Sequence, residues 1–458
     1  MLCRFVDRRD ELSVLNQAYK SRPGFMIIYG RRRTGKTRLI LEWIKSHKVR
    51  SVYYLSQLAS HMYNMALMAR VVAEQTGEPG LKGVRPERLS VLLSLLSRLN
   101  VDVIIIDEIT YWVKSDPIVL SEIQEYVDRV LPNTKTLLIL TGSLLGVLKD
   151  EILGGGSPLY ARSTNRIMLK SLSYEYLKCF MPHYKPEDRV RLYSLVGGIP
   201  HYTCLLARTK TLKQAVQMLV NRDSPLSHEK DLLLREEFRE PATYNAILSA
   251  IAKGYNTPGK IAQVTGISPG LANKALHVLE YLEFVERDIP VFRKKGVYRI
   301  RDPILRTWYG LIEPVESLVE LGLEKQALNY VLSNIDTHTS QTWETLVKTY
   351  LTKKYAPKGY TRVGRLVHRN EEIDIILIHP KENKAIITEV KWSKLTPKEI
   401  AKLRFLTREK ASKLLPEKYQ VAKTYIAVRE VEGRIPSDTI TPETIDGHVN
   451  CYETMHSF

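Results

Sequence analysis

The segment Gly30-Arg31-Arg32-Arg33-Thr34-Gly35-Lys36-Thr37 has the spacing G-x-x-x-x-G-K-[ST]; the apolar run FMIIY (25–29) precedes it and RLILEWIKSH, opening at Arg38, follows. Strand, glycine loop and helix in that order form a phosphate cradle: the glycines let main-chain N–H groups close around phosphate oxygens at the positive end of the helix. Residues 30–38 are therefore the candidate contact for ATP, with Lys36 reaching the β- and γ-phosphates and Thr37 placing its hydroxyl on Mg²⁺. A glycine-rich turn arising by chance is the bland alternative, and the correct flanks weigh against it. Further on, Val103-Ile104-Ile105-Ile106 is a strand-type run ending in Asp107 and Glu108. Asp107 is the candidate holder of magnesium through water, and Glu108 the candidate base for an attacking water. Two acids there could instead cap the next helix, but two carboxylates opposite a phosphate loop point to a metal and to hydrolysis.

A second group with chemistry lies near the carboxyl end. Glu344 sits in the helical stretch TWETLVKTYLTKKY, and EIDIILI (372–378), the turn HPKENK and AIITEVKW (385–392) read as a hairpin. Folding at that turn sets Asp374 level with Glu389, and alternation along a strand sends Glu389 and Lys391 to one face. Two adjacent carboxylates repel, and a divalent cation relieves that; oxygen ligands suit Mg²⁺ or Mn²⁺. Lys391 could then position water or stabilise charge developing on phosphorus. Alone, E-x-K is common in exposed strands; the helix, hairpin and three acids in order give it weight.

The elements that must position these groups follow from periodicity. SVYYL (51–55) and Thr136–Leu140 read as further strands, and Leu89, Leu92, Leu93, Leu96 and Leu99 fall on one helical face as core. Alternating strands and helices imply a parallel sheet covered on both faces. The strand 136–140 ends in Thr141-Gly142-Ser143, where Ser143, helped by Thr141, could sense the γ-phosphate or simply cap a helix. Residues 171–235 contain several amphipathic helices around Gly197-Gly198-Ile199-Pro200. From Pro241 come three short helices and two strands (285–300) around the basic turn Arg293-Lys294-Lys295-Gly296, the layout of a winged helix. Asn273, Lys274 and His277 fall on the outward face of the third helix, and with Lys294 and Lys295 they are the candidate DNA contacts, although such a domain can also serve as a packing spacer. The stretch 307–322 reads as a helical connector, and KEIAKLRFLTREKASKLL as a basic helix with a phosphate backbone or solvent against it.

Composition sets the frame. The chain has 458 residues, 44% hydrophobic and 26% charged, which excludes disorder and suggests about three domains. A net charge of +18 suits a polyanionic partner such as DNA, or merely a lysine-rich surface. The four cysteines, Cys3, Cys179, Cys204 and Cys451, lie far apart, so neither a zinc site nor a disulfide framework is expected. MLCRFVDRRDEL becomes charged too early for a signal peptide, and Leu137–Leu148 is too short to span a bilayer. A soluble, cytoplasmic protein without membrane contact is the expectation.

RFVDRRDELSVL, YGRRRTGKT, IIIDEI, LTGS, SPLYARS and LVGGIPHY occur in an order that resembles the archaeal STAND-type ATPases, relatives of the AAA superfamily. The resemblance implies that Arg162 contacts the γ-phosphate or a neighbouring subunit's nucleotide, and only the second contact would make the protein a homo-oligomer. Ala161 stands where the family has glycine. It also implies that Pro200 packs near the adenine from a helical lid, where a plain helix start is the alternative. The carboxy-terminal D…E-x-K set resembles the PD-(D/E)xK nucleases, with Glu344 matching the acid from the preceding helix and Ile373 replacing the usual proline. The expected fold class is α/β: a P-loop NTPase parallel sheet (1–168) with a helical lid (169–236), a winged helix (237–305), a helical connector (306–335) and a restriction-endonuclease-like domain (336–458). The expected activity is ATP hydrolysis in a DNA-associated protein with metal-dependent nuclease chemistry. The alternative is a nucleotide-switched regulator whose last domain only binds. A small-molecule kinase is weak, since no acceptor-binding element is visible.

Overall fold

The computed structural model describes residues 5–83, 86–369, 371–447, 449 and 451. The described chain divides into two compact units, Phe5–Ser171 and Leu172–Cys451.

In the first unit, β1 (Gly24–Tyr29), β2 (Ser51–Leu55), β3 (Val103–Asp107), β4 (Leu137–Gly142) and β5 (Asn165–Met168) form a parallel sheet in the order β2-β3-β4-β1-β5. The continuous apolar runs become the central strands because helices cover both of their faces. Alternation divides their side chains between two cores. Phe25, Ile27, Ile104, Ile106, Leu138 and Leu140 join the helices His61–Thr76, Leu89–Arg98 and Ile118–Arg129 on one side. Met26, Ile28, Val103, Ile105, Leu137 and Ile139 join Arg9–Lys20 and Lys36–His47 on the other. The edge strand β2 is blunted at Tyr53, whose N–H and carbonyl are both taken by the Gln75 side chain at 2.8 and 2.9 Å. Strand β4 lies between β1 and β3, so the phosphate loop after β1 and the acids at the end of β3 flank the end of β4.

The second unit begins with short helices, including Pro186–Val196, Pro200–Leu206 and Leu212–Val220. Three helices follow, Pro241–Ala252, Pro258–Thr265 and Pro269–Tyr281, and then the antiparallel pair β6 (Val285–Asp288) and β7 (Val297–Ile300). The glycine pair 197–198 is structural here. A Cβ on Gly198 would lie 1.7 Å from the Leu172 carbonyl oxygen, and one on Gly197 would lie 2.7 Å from Pro303. The connector is broken into short turns between 303 and 320, and one helix then runs from Glu324 to Tyr355 without interruption. The expected boundary at 335/336 therefore falls inside a helix. Its apolar residues Trp343, Leu346, Val347 and Leu351 are shared between the helix Pro186–Val196 and the last sheet, so burial continues across that point. Asp336 of this helix binds Arg191 (2.7 Å), Arg429 (2.8 Å) and the Trp392 indole N–H (3.0 Å), joining three further elements.

The last sheet has the order β12-β11-β10-β9-β8, from β8 (Arg362–His368), β9 (Glu371–His379), β10 (Lys384–Leu395), β11 (Gln420–Val431) and β12 (Thr439–Ile440). Strand β9 runs antiparallel to both β8 and β10, whereas β10 and β11 are parallel, and the helix Pro397–Leu414 makes the crossover that such a pair requires.

One expectation is overturned. Cys179 and Cys451 form a disulfide across 272 positions of sequence, with Cα atoms 5.4 Å apart, and Cys204 is disulfide-bonded as well; Cys3 lies outside the described residues. Cysteine spacing reports on local metal clips and compact disulfide frameworks. It carries no information on residues brought together by tertiary packing, here the helix Pro442–Asp446 against Pro186–Val196, which the buried pair Arg189–Asp446 also ties. Among the described residues, no helix is long and apolar enough to cross a membrane.

Candidate functional site

The phosphate loop depends on backbone conformations that its glycines supply. Gly30 has φ of 149° and Gly35 of 95°, and a Cβ on Gly30 would lie 2.3 Å from the Leu169 carbonyl oxygen. Lys36 is buried and folds back on the loop, its Nζ donating to the carbonyls of Gly30 (3.1 Å) and Arg31 (3.3 Å). The same ammonium lies 3.7 Å from Glu108 Oε1. Burial lowers its pKa, and the charges of Glu108 and Asp107 oppose that shift.

The end of β3 is held by the end of β4. Thr141 Oγ1 donates to Asp107 Oδ1, while the Ser143 N–H (3.0 Å) and Oγ (2.6 Å) both donate to Glu108 Oε2. Glu108 has φ of 54°, and its N–H is taken by Asp107 Oδ1 and Thr141 Oγ1, each at 3.1 Å. Ser143, expected either to sense the γ-phosphate or to cap a helix, thus fixes the Glu108 carboxylate. Asp107 Oδ2 receives the Thr37 hydroxyl at 2.6 Å and the Tyr53 phenol at 2.5 Å. Burial and the charge of Asp107 raise the Tyr53 pKa, so the phenol keeps the proton it donates. Thr37 and Asp107 present hard oxygen donors side by side, a set that fits Mg²⁺.

Two supporting residues were not singled out from sequence. Tyr53 is one, and its only signal is the alternation of SVYYL. The other is Arg8, which is buried and donates to the carbonyls of Thr34 (3.2 Å) and Lys170 (2.8 Å), bracing the loop from behind. It lies within the family-like opening RFVDRRDEL, and a left-handed backbone (φ 85°) sets its direction.

Arg162 pairs with Asp128 (2.8 Å) and donates to the Pro158 carbonyl (2.7 Å), so here it serves a local ion pair. Ala161 before it has φ of 58°, the left-handed conformation that glycine supplies most easily. Arg38 pairs with Glu42 one helical turn on. Pro200 belongs to the second unit, where it opens the helix Pro200–Leu206.

In the second unit the β9–β10 register pairs Ile375 with Thr388, so Asp374 comes opposite Glu389. Asp374 Oδ2 accepts the Val390 N–H at 2.7 Å. Burial, and then the Glu389 charge, push the Asp374 pKa up to about 6. Lys391 lies 3.0 Å from the buried Glu389 carboxylate and on its face of the strand; burial opposes the ammonium's charge, and Glu389 holds its pKa above the usual value. Lys410, from the helix Pro397–Leu414, adds a second cation at 3.4 Å and had not been singled out from sequence. Glu344 faces the same cavity as Asp374, and burial raises its pKa. Among the described residues, no three His, Cys, Asp or Glu side chains gather closely enough to hold a metal ion by themselves. Asn273, Lys274, His277, Lys294 and Lys295 are exposed.

Residues 5–206 match a family described as an ATPase domain predominantly from Archaea, and residues 308–403 match DUF234, described as Archaea bacterial proteins of unknown function. The uncharacterized protein MJECL04 of Methanocaldococcus jannaschii is 33% identical over 413 residues, covering 87% of this chain and 90% of that protein. Among solved structures, the Walker-type ATPase paby2304 of Pyrococcus abyssi has a TM-score of 0.53 at 20% identity, over 67% of this chain and 96% of that one. The Aeropyrum pernix ORC2 protein has a TM-score of 0.47 at 16% identity, over 70% and 95%. The chain has the phosphate loop, the paired acids and the parallel sheet of an ATPase domain of the kind found predominantly in Archaea, and it belongs to one family with the M. jannaschii protein.

Proposed function

We propose that the protein hydrolyses ATP and acts on DNA, with metal-dependent phosphodiester cleavage as the chemistry of its last domain. The observation that carries the ATPase reading is the set Lys36, Thr37, Asp107 and Glu108 at the ends of two strands flanking β4. Lys36 would leave its loop carbonyls to neutralise oxygens of the β- and γ-phosphates. Thr37 and Asp107 would hold Mg²⁺, which supplies charge stabilisation on those oxygens when bound. Glu108, its Oε2 fixed by Ser143, keeps Oε1 free of that bond to take a proton from an attacking water. Lys36→Ala is expected to remove nucleotide binding. Glu108→Gln should keep binding and lower turnover by about 100-fold or more. Unchanged hydrolysis in either variant would refute the assignment.

The winged-helix reading of residues 237–305 rests on the order of three helices and a hairpin, and DNA association on the +18 charge with exposed Lys274, Lys294 and Lys295. Cleavage at the carboxy-terminal site is supported by Asp374 opposite Glu389, with Lys391 beside it. Asp374→Ala should abolish Mg²⁺- or Mn²⁺-dependent nicking and leave ATP turnover intact. One observation favours a second reading, a nucleotide-switched binding protein. Glu389 is neutralised by Lys391 and Lys410, and Glu344 by Arg299, so two of the three carboxylates are balanced without a metal. Wild-type protein that cuts no linear, nicked, branched or single-stranded DNA with either metal would establish that reading.

A further inference from the structure

Asp374 of the last sheet and Glu344 of the long helix open into a cavity of about 460 Å³, and residues of other elements form its opposite wall. Glu344, Asp374 and Trp392 form one side, while Tyr298 and Arg299 of β7 contribute to the other. The space admits water and ions. A duplex, whose major groove alone is about 12 Å wide, cannot enter it.

The β6–β7 hairpin is tied over this site by charge. The Arg299 guanidinium lies 3.8 Å from Glu344 Oε1 and 3.2 Å from Asp288. Asp288 also binds Arg365 of β8 at 2.8 Å, and Arg365 holds Glu372 at 2.7 Å. The hairpin loop continues along β8, the outer strand of the sheet, where the Val291 N–H donates to the Arg365 carbonyl at 2.7 Å and Arg293 reaches the Val367 carbonyl at 3.4 Å. Ile289 and Phe292 remain 43% and 44% exposed, while Val291 packs against the core of the sheet and Phe292 lies against the Tyr419 ring at 5.7 Å. The loop is thus anchored to β8 by packing and by the nearly buried Asp288–Arg365 pair, whereas the 3.8 Å Arg299–Glu344 contact over the cavity is partly exposed, and such pairs are individually weak and sensitive to salt.

We propose that the β6–β7 hairpin is a reversible cover on the Asp374–Glu389 site, in which Arg299 occupies Glu344 and a nucleic-acid strand gains access only when the hairpin lifts. The proposal rests on the phosphodiesterase reading of that site, so its test includes a measurement that needs no cleavage. In the full-length protein, Arg299→Met keeps the aliphatic stem and removes the charge. Mn²⁺ binding, followed by the paramagnetic signal of free Mn²⁺, should tighten about three- to tenfold, and adding Asp374→Ala should erase the gain. Mn²⁺ affinity unchanged by Arg299→Met would overturn the proposal whatever the nuclease result. The second arm locks the cover. A Cβ at Gly364 would lie 2.9 Å from Val291 Cγ2, so the pair Val291→Cys and Gly364→Cys can be joined by oxidation. With wild type given the same oxidation and reduction, the locked form should lose Mn²⁺-dependent nicking and regain it on reduction, and Arg299→Met should nick faster than wild type. Equal nicking by locked and unlocked protein would overturn the cover and leave the nuclease reading standing. Tighter Mn²⁺ binding in Arg299→Met with no cleavage by any form would support the cover and sink the nuclease reading.

Discussion

Each acid in this protein is defined by what donates to it. At the nucleotide site Thr141 serves Asp107 and Ser143 serves Glu108, so the two carboxylates are aimed separately although they are adjacent in sequence. Asp374 has fewer partners, and burial followed by the Glu389 charge raises its pKa to about 6 from 3.8. The native chain therefore binds that proton more tightly than the unfolded chain. Stability from this group is complete below pH 4, is lost as pH rises towards 6, and stays lost above it. Replacing Asp374 by Asn keeps an acceptor for the Val390 N–H and removes the charge. The variant should be more stable than wild type by about 2 kcal/mol at pH 7 and equal to it at pH 4. Urea unfolding at the two pH values measures the difference. The site residues were legible from type and spacing, since a glycine loop with lysine and a strand ending in two acids are local patterns. Tyr53, Arg8 and Lys410 were not legible, because each acts on a partner supplied by another element.

Elements transmit that aim. The loop after β1 is braced by the two Arg8 contacts to the carbonyls of Thr34 and Lys170, which tie three separate segments of one unit. Arg8→Met should leave the sheet intact and weaken ATP binding by about tenfold, as expected for losing charged hydrogen bonds that order a loop. A binding titration beside a thermal melt separates that effect from general destabilisation. The strands and most helices were readable from periodicity, because buried parallel strands are continuous apolar runs. The long helix Glu324–Tyr355 was read as the end of a connector and a separate later helix, not as one element, since its partners differ along its length. Polar contacts such as Asp336 with Arg191 and Arg429 hold its middle, where no apolar stripe is visible.

At the scale of the molecule, charge and cross-links decide. If the +18 charge serves phosphates, DNA affinity should fall steeply as salt rises, with a log–log slope of several; a flat response would make the charge a solubilising surface. The Cys179–Cys451 bond closes most of the second unit. Changing both residues to Ser should cost that unit about 2–5 kcal/mol and leave the ATPase rate unchanged, because the nucleotide residues belong to the other unit. Denaturant unfolding followed alongside ATP turnover tests both halves of that statement.

The sequence by itself determined the chemistry of the first unit. A phosphate loop must be written as consecutive residues, and the alternation of strands fixes which neighbours share a face. It also determined the hairpin that sets Asp374 against Glu389, because an antiparallel turn pairs residues by counting. Only the tertiary structure decided the disulfide, the bracing of the phosphate loop by Arg8, the engagement of Ser143 with Glu108 and the hairpin lying across the carboxylates. Those depend on which distant surfaces meet, and that is set by the summed burial of whole elements.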